Sequence, residues 1–216
     1  VILGNMKNQL IILVVIFSTT AIIAQESAKK VFSSPNLSVA VATHKIIAIL
    51  PFKTAILYRK IPKNYDEQAN KEEEASLSYN LQNNFYAVMS IKKDVYPIKV
   101  QSSEITNDLL KENNMLNDLN SFTPNQIAKV LGVDAVMYCD YTYTRTNSEF
   151  GAILNEQLFG YGKVATGELT MSIFNGVDGE LLWRFNKTMN QESLSYPRFI
   201  IERMLSKVGR NFPYQK

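Results

Sequence analysis

The sequence predicts a single α/β (α+β) domain, a mixed β-sheet of about five strands packed by three to four helices in the order β-α-β-α-α-β-β-β-α. Three observations predict it. KIIAILPF (Lys45–Phe52) is an apolar, β-branched run of the kind that forms a strand covered on both faces. SFTPNQIAKVLG (Ser121–Gly132) carries the start and stop signals of a short helix. Finally, two alternating segments flank the turn-forming residues Asn175–Gly179.

The amino-terminal part is of another kind. After Met6 come Lys7 and an unbroken apolar run, Leu10 to Phe17, then Ser18 to Ala24. This reads as a secretory signal peptide over 1–24, with 1–5 an extension of the gene model ahead of the start methionine. The run is too short and too rich in serine and threonine to suit a membrane span. No cysteine follows it, so lipidation at that end is not expected. Residues 25–44 are polar and serine-rich and read as a flexible tether, leaving 45–216 as the domain.

Within the domain, Lys45–Phe52 is expected to end at Pro51, with a polar loop over Lys53–Gln68. Asn70, three residues before Glu73, is the expected cap of a helix reaching Met89, with Leu77, Leu81, Phe85 and Val88 on one face. Asp94–Gln101 reads as an edge strand because Pro97 lies inside it. Ser103–Asn113 forms a second helix. In the third, Thr123 caps, Pro124 takes the first helical position, Gln126 closes a capping box, Phe122 and Ile127 staple the entry, and Gly132 ends it.

Asp134–Thr144 is the next strand. Lys163–Asn175 then alternates, Leu169, Met171 and Ile173 against Glu168, Thr170 and Ser172. Glu180–Lys187 alternates as well, with Leu181, Trp183 and Phe185 inward and Leu182, Arg184 and Asn186 outward. A last amphipathic helix begins near Pro197 and carries Ile200, Ile201, Met204, Leu205 and Val208.

Between these strands, IFNGVDGELLW (Ile173–Trp183) is open to three readings. A calcium loop needs more oxygen ligands at fixed spacing than Asn175, Asp178 and Glu180 provide. A propeller blade must recur, and this motif occurs once. A hairpin is the remaining reading, with Gly176 and Gly179 free to take positive φ and Asp178 bonding its own backbone.

The successions Ile47–Phe52 (IAILPF), Leu131–Val136 (LGVDAV) and Asp178–Trp183 (DGELLW) resemble bacterial envelope proteins of one group. That group comprises the curli-secretion lipoprotein (CsgG) family, the penicillin-binding-protein activator LpoB and lipoproteins of unknown function. Their α/β domain is similar to the amino-terminal domain of TolB. The resemblance covers Lys45 to Val208 and implies an exported, non-enzymatic binding or assembly accessory of the cell envelope. It implies contacts with envelope proteins in the periplasm or at the outer-membrane periphery, and self-association fits it equally. The alternative within the group is a subunit of an outer-membrane secretion or transport pore. Thr142–Thr166, the only candidate for barrel-forming strands, is too short for two spanning strands and a turn.

Chemistry-bearing patterns are sparse. Net charge is +3 with both signs interspersed, which argues against a nucleic-acid surface. One histidine, His44, and one cysteine, Cys139, cannot build a zinc site of the usual kind, so no metal or cofactor is expected. No nucleophile, phosphate-loop or dinucleotide motif is present, and no catalytic residue is assigned. Tyr138, Tyr141 and Tyr143 are read as core packing rather than a binding face. The 18-residue connection Arg145–Gly162 is longer than ordinary loops and is the expected interaction element. Phe150, Leu154, Leu158, Phe159 and Tyr161 are its candidate partner-binding residues.

Overall fold

The computed structural model describes residues 28–145, 165–191 and 197–216. In chain order its elements are β1 (Lys30–Ser33), α1 (Leu37–Thr43), β2 (Ile46–Ile49), β3 (Lys53–Tyr58), α2 (Glu67–Ile91), β4 (Lys99–Val100) and α3 (Ser103–Glu112). There follow α4 (Pro124–Leu131), β5 (Ala135–Arg145), β6 (Ala165–Asn175), β7 (Leu181–Gln191) and α5 (Pro197–Val208). The sheet has seven strands in the order β1-β7-β6-β5-β2-β4, with β3 also pairing β5. The pairs β5–β6, β6–β7 and β7–β1 are antiparallel, while β2 and β3 run parallel to β5, and β4 parallel to β2. This is the mixed α/β sheet that the sequence predicts, with β1 and β3 added.

Both additions lie where sequence pattern is uninformative. β1 belongs to the stretch read as a tether. All four of its residues are exposed, so no apolar period marks it. Backbone pairing holds it instead, from Lys30 opposite Asn186 to Ser33 opposite Trp183. Ser34 continues the attachment, its N–H donating to Leu182 O at 2.8 Å and its hydroxyl to Glu180. Residues Leu37, Ala40 and Val41 of α1 then pack on the core.

β3 corrects the loop expected after Pro51. Ile49 faces Met137 and Lys53 faces Asp140, four steps on one side against three on β5. The strand therefore slips by one residue around Pro51, which has no N–H to donate, and resumes. β5 is long enough to pair with both pieces.

A polar stripe on α2 closes the free edge of β3. Asn70, Glu74, Ser78 and Gln82 stand four residues apart and so share one helix face. Asn70 Nδ2 donates to Ile56 O at 3.3 Å, and Glu74 Oε1 accepts from Ile56 N at 2.7 Å. Ser78 Oγ donates to Phe52 O at 2.6 Å and Gln82 Nε2 to Ile49 O at 2.9 Å. Asn70 is thus not the cap. Asp66 is, its Oδ1 accepting from Ala69 N at 3.0 Å, and the helix begins a turn earlier than expected. The stripe satisfies groups that would otherwise template pairing with another chain.

Gln82 is fully buried and exchanges amide hydrogen bonds with Asn107 of α3. Gln82→Leu would strand both the Ile49 carbonyl and the Asn107 amide. We expect it to cost about 1–3 kcal/mol in urea unfolding, with the exposed control Asn80→Ala near neutral. A Gln82→Leu midpoint equal to wild type would mean the stripe contributes nothing.

The core has two parts. Facing one side of the sheet, α2 and α5 pack Leu81, Phe85, Met89, Ile201 and Met204 against Met137, Met171, Trp183 and Phe185. On the other side, α3 and α4 bring Leu110, Ile127 and Leu131 onto Ala48, Leu50 and Val136. α4 is built as expected. Gln126 Oε1 accepts from Thr123 N at 2.9 Å, Pro124 starts the helix, and Gly132 ends it in the left-handed region at φ 66°. β4 is an edge strand of two residues, Pro97 lying outside it.

IFNGVDGELLW is a hairpin, closed by Asn175 N–H to Glu180 O and Gly179 N–H to Asn175 O, both at 2.9 Å. Asp178 Oδ1 accepts from Glu180 N at 2.9 Å, and Gly179 has φ 77°. Two expectations change here. Gly176 does not take positive φ. Leu182, expected outward, is buried, because the β6–β7 register slips between Ile173–Trp183 and Phe174–Leu181. That bulge turns Leu182 into the same core as Trp183.

Candidate functional site

Helices α3 and α4 cover only part of their side of the sheet. Beyond Tyr138 and Phe174, the last residues in contact with that layer, no described core residue lies on this face. What remains is a polar grid whose positions follow from strand register. Lys53 faces Asp140, Asp140 faces Thr170, Thr170 faces Asn186, and Asn186 faces Lys30. One row on, Ala55, Thr142, Glu168 and Thr188 align in the same way. On the other side of that row, Ser172, Arg184 and the half-exposed Phe32 align.

The grid is internally bonded. Arg184 Nε donates to Ser172 Oγ at 3.0 Å, and Asn186 Nδ2 donates to Thr170 Oγ1 at 2.8 Å. Asp140 is exposed, yet the surrounding protein raises its carboxyl above the usual carboxylate range, with the charges of Lys53 and Arg184 opposing. Strand alternation put threonine, serine and charge here, and cross-strand pairing holds them in register.

Arg145 is the last described residue of β5. Its pairing with Ala165 is the last of the β5–β6 ladder. The guanidinium lies 5.3 Å from the centre of the Tyr58 ring, donates to Tyr58 Oη at 3.0 Å, and pairs with Glu73 of α2. Tyr65 closes edge-on against Tyr58 at 5.5 Å. One residue thus ties β5, β3 and α2 together.

The partner-binding residues expected from sequence, Phe150, Leu154, Leu158, Phe159 and Tyr161, lie outside the described residues. Cys139 is buried against the α2–α5 core, and burial together with the charge of Asp140 pushes its thiol well up. It is therefore a packing residue, unsuited to thiolate chemistry. His44 bonds Tyr214. Tyr141 is fully buried, and Tyr138 meets Phe174 edge-on at 5.2 Å, where burial pushes its hydroxyl up to about 12. Both act as core, as the sequence suggested. Among the described residues no three His, Cys, Asp or Glu side chains come together to hold a metal ion, and no helix is long and apolar enough to cross a membrane.

The grid was half legible. Sequence alternation places Glu168, Thr170 and Ser172 on one face, but only the tertiary structure shows which part of that face the helices leave bare. Arg145, Tyr58 and Glu73 carry no local signal, since a helix and two strands bring them together.

No family model matches the chain, and no curated protein matches it. Among solved structures, it is similar to lipoprotein GNA1162 from Neisseria meningitidis, at 15% identity and TM-score 0.49, over 77% of this chain and 96% of that one. It is also similar to a PelC dodecamer from Paraburkholderia phytofirmans, at 12% identity and TM-score 0.39, over 87% and 97%. The LpoB C-terminal domain from Salmonella enterica gives 10% identity and TM-score 0.38, over 72% and 96%. Likeness at this distance does not reach function.

Proposed function

We propose that this chain is an exported, non-enzymatic binding or assembly protein of the bacterial cell envelope, acting through protein–protein contacts. The observation that carries the reading is the polar grid on β5, β6 and β7, which no described helix covers. Among the described residues the larger core lies on the opposite face of the sheet and does not draw on this surface. A registered array of hydroxyl, amide and charged groups offers many weak, directional contacts and no reaction centre. Phe150, Leu154, Leu158, Phe159 and Tyr161 would supply apolar anchors beside it. In this reading Arg145, clasped to Tyr58 and Glu73, fixes the root of 146–164 on the sheet. Residues 1–24 would direct export, leaving the mature protein in the periplasm or at the outer-membrane periphery.

The test places a photo-cross-linking amino acid at Thr170 in the native host, with the exposed helix position Tyr79 as control. We expect a discrete covalent adduct from Thr170, none from Tyr79, and loss of the Thr170 adduct when 150–160 are deleted. Circular dichroism of the deletion variant should match wild type. An adduct pattern equal at both positions, or unchanged by the deletion, would overturn the assignment.

A further inference from the structure

His44, the only histidine in the chain, is joined to the far end of the described structure. Its Nδ1 lies 2.7 Å from Tyr214 Oη. Its Nε2 is buried and makes no hydrogen bond of ordinary geometry among the described residues, although the Asn175 side chain is near enough to favour the charged ring. Tyr214 belongs to a segment that folds back over the domain after α5. Phe212 is buried between Trp183, Tyr96 and Tyr214, with ring centres at 5.8, 5.6 and 5.9 Å. Lys216 N donates to Val95 O at 3.1 Å. Beside His44 the fold-back leaves an open cleft of about 280 Å³.

We propose that the His44–Tyr214 contact is an acid-sensitive latch, which holds residues 209–216 against the core while His44 is neutral and releases them when it is protonated. The geometry carries this. A neutral imidazole can exchange one hydrogen bond with the Tyr214 hydroxyl while its other nitrogen stays dry. An imidazolium must place a second N–H and a full charge in the same dry site.

The neighbouring groups offset only part of the cost of the charge. Asp134, just ahead of β5, is the one acid among them. Burial alone would push its carboxyl up, but hydrogen bonds from Lys45 N at 2.7 Å and Ile46 N at 2.9 Å, with the charges of His44 and Lys45, hold it low. Its charge is thus already shared with the backbone. The other charged side chains lining the cleft, Lys45 and Lys216, are cationic and would repel an imidazolium. From α1 the cleft receives only Val41, and ahead of β4 only Pro97 and Ile98. Burial lowers the His44 pKa from 6.5, outweighing a side-chain hydrogen bond with Asn175 and the charge of Asp134, which favour the charged form.

The sign follows. Because the folded pKa lies below the unfolded value, the contact is fully present above pH 6.5 and is lost as pH falls through the folded pKa. Opening exposes Phe212 and one side of Trp183, the sole tryptophan.

The full chain supplies its own probes. A single histidine gives one imidazole Cε1 proton resonance to follow from about pH 8 down to about pH 4.5, a range that brackets the ordinary histidine pKa. Hydrogen exchange of residues 209–216, corrected for intrinsic rate, and Trp183 emission are followed in parallel. We expect His44 to titrate with a midpoint below 6.5. At that same midpoint 209–216 should lose protection and Trp183 emission should shift to the red. His44→Gln, which keeps a neutral hydrogen-bonding group, should hold 209–216 protected throughout. A His44 midpoint at or above 6.5, or loss of protection at a different pH, would overturn the latch. So would an acid step that persists in His44→Gln, which would point to Asp140, whose carboxyl is raised on the other face of the sheet. If His44→Gln fails to fold, the wild-type coincidence of the three midpoints decides alone.

Discussion

Trp183→Ala is expected to cost about 3–5 kcal/mol, a large part of the roughly 5–15 kcal/mol that holds a domain of this kind together. Trp183 has no exposed surface, stacks on Phe185 at 6.1 Å and receives the edge of Phe212 at 5.8 Å. It joins the sheet to the fold-back after α5, so its removal empties a space bounded by sheet strands and the segment that carries Phe212. Its Nε1 is buried without a hydrogen-bond partner among the described residues. Trp183→Phe therefore loses no hydrogen bond. It also removes an unpaired donor, worth about 1–3 kcal/mol, which offsets part of the lost packing. We expect Trp183→Phe well above Trp183→Ala in stability, with urea unfolding followed by far-ultraviolet circular dichroism. Equal losses for the two variants would mean that indole volume is not what the site requires.

The same residue shows what sequence makes legible. Trp183 and Phe185 alternate with Arg184 and Asn186, and that local pattern places the first pair in the core. Leu182 follows no such rule. The bulge opposite Ile173–Phe174 decides its burial, and a bulge is a relation between two strands. α4 is legible in full because its cap, proline, staple and terminal glycine are all neighbours in sequence. β1 and β3 are not, because backbone pairing with distant strands holds them. The four exposed residues of β1 and the lysine and threonine opening β3 carry no helical or strand period of their own.

The candidate site divides along the same line. Alternation along β6 is enough by itself to display Glu168, Thr170 and Ser172 as one face. That no described helix covers the face farther along follows from α3 and α4 reaching only Tyr138 and Phe174 across the sheet, although Ser172, bonded by Arg184, is buried all the same. Similarly, Asn70, Glu74, Ser78 and Gln82 show their four-residue spacing in the sequence, where it reads as an ordinary solvated stripe. Their role depends on the free edge of β3 and the slip at Pro51, both tertiary. A polar helix face can thus be an internal surface when it lies against an unpaired strand edge.

Gly176→Ala brings these arguments to one position. A Cβ at Gly176 would stand 2.7 Å from Asp134 O, 2.9 Å from Val133 O and 3.0 Å from Ala128 Cβ. Two of these are backbone atoms fixed by α4 and β5, so the hairpin must retreat. Retreat breaks the 2.8 Å bond from Gly176 N to Asp134 O. We expect a loss of about 1–3 kcal/mol from overpacking, with about 1 kcal/mol more for the hydrogen bond. Gly179 is glycine for a different reason. Its φ of 77° strains any L-residue, while the nearest atom to an added Cβ is the Asn125 side chain at 3.3 Å, which can yield. Gly179→Ala should therefore cost about 1–2 kcal/mol, and Gly179→Asn less, since asparagine tolerates that region. The Gly176 effect should also spread. Asp134 bonds the N–H groups of Lys45 and Ile46 through its carboxylate, so displacing it loosens the start of β2 and the site of His44. Hydrogen exchange at the Ile46 amide should rise in Gly176→Ala and stay at the wild-type rate in Gly179→Asn. If Gly179→Ala proves the costlier of the two alanine variants, backbone conformation rather than close approach sets the glycine requirement of this turn.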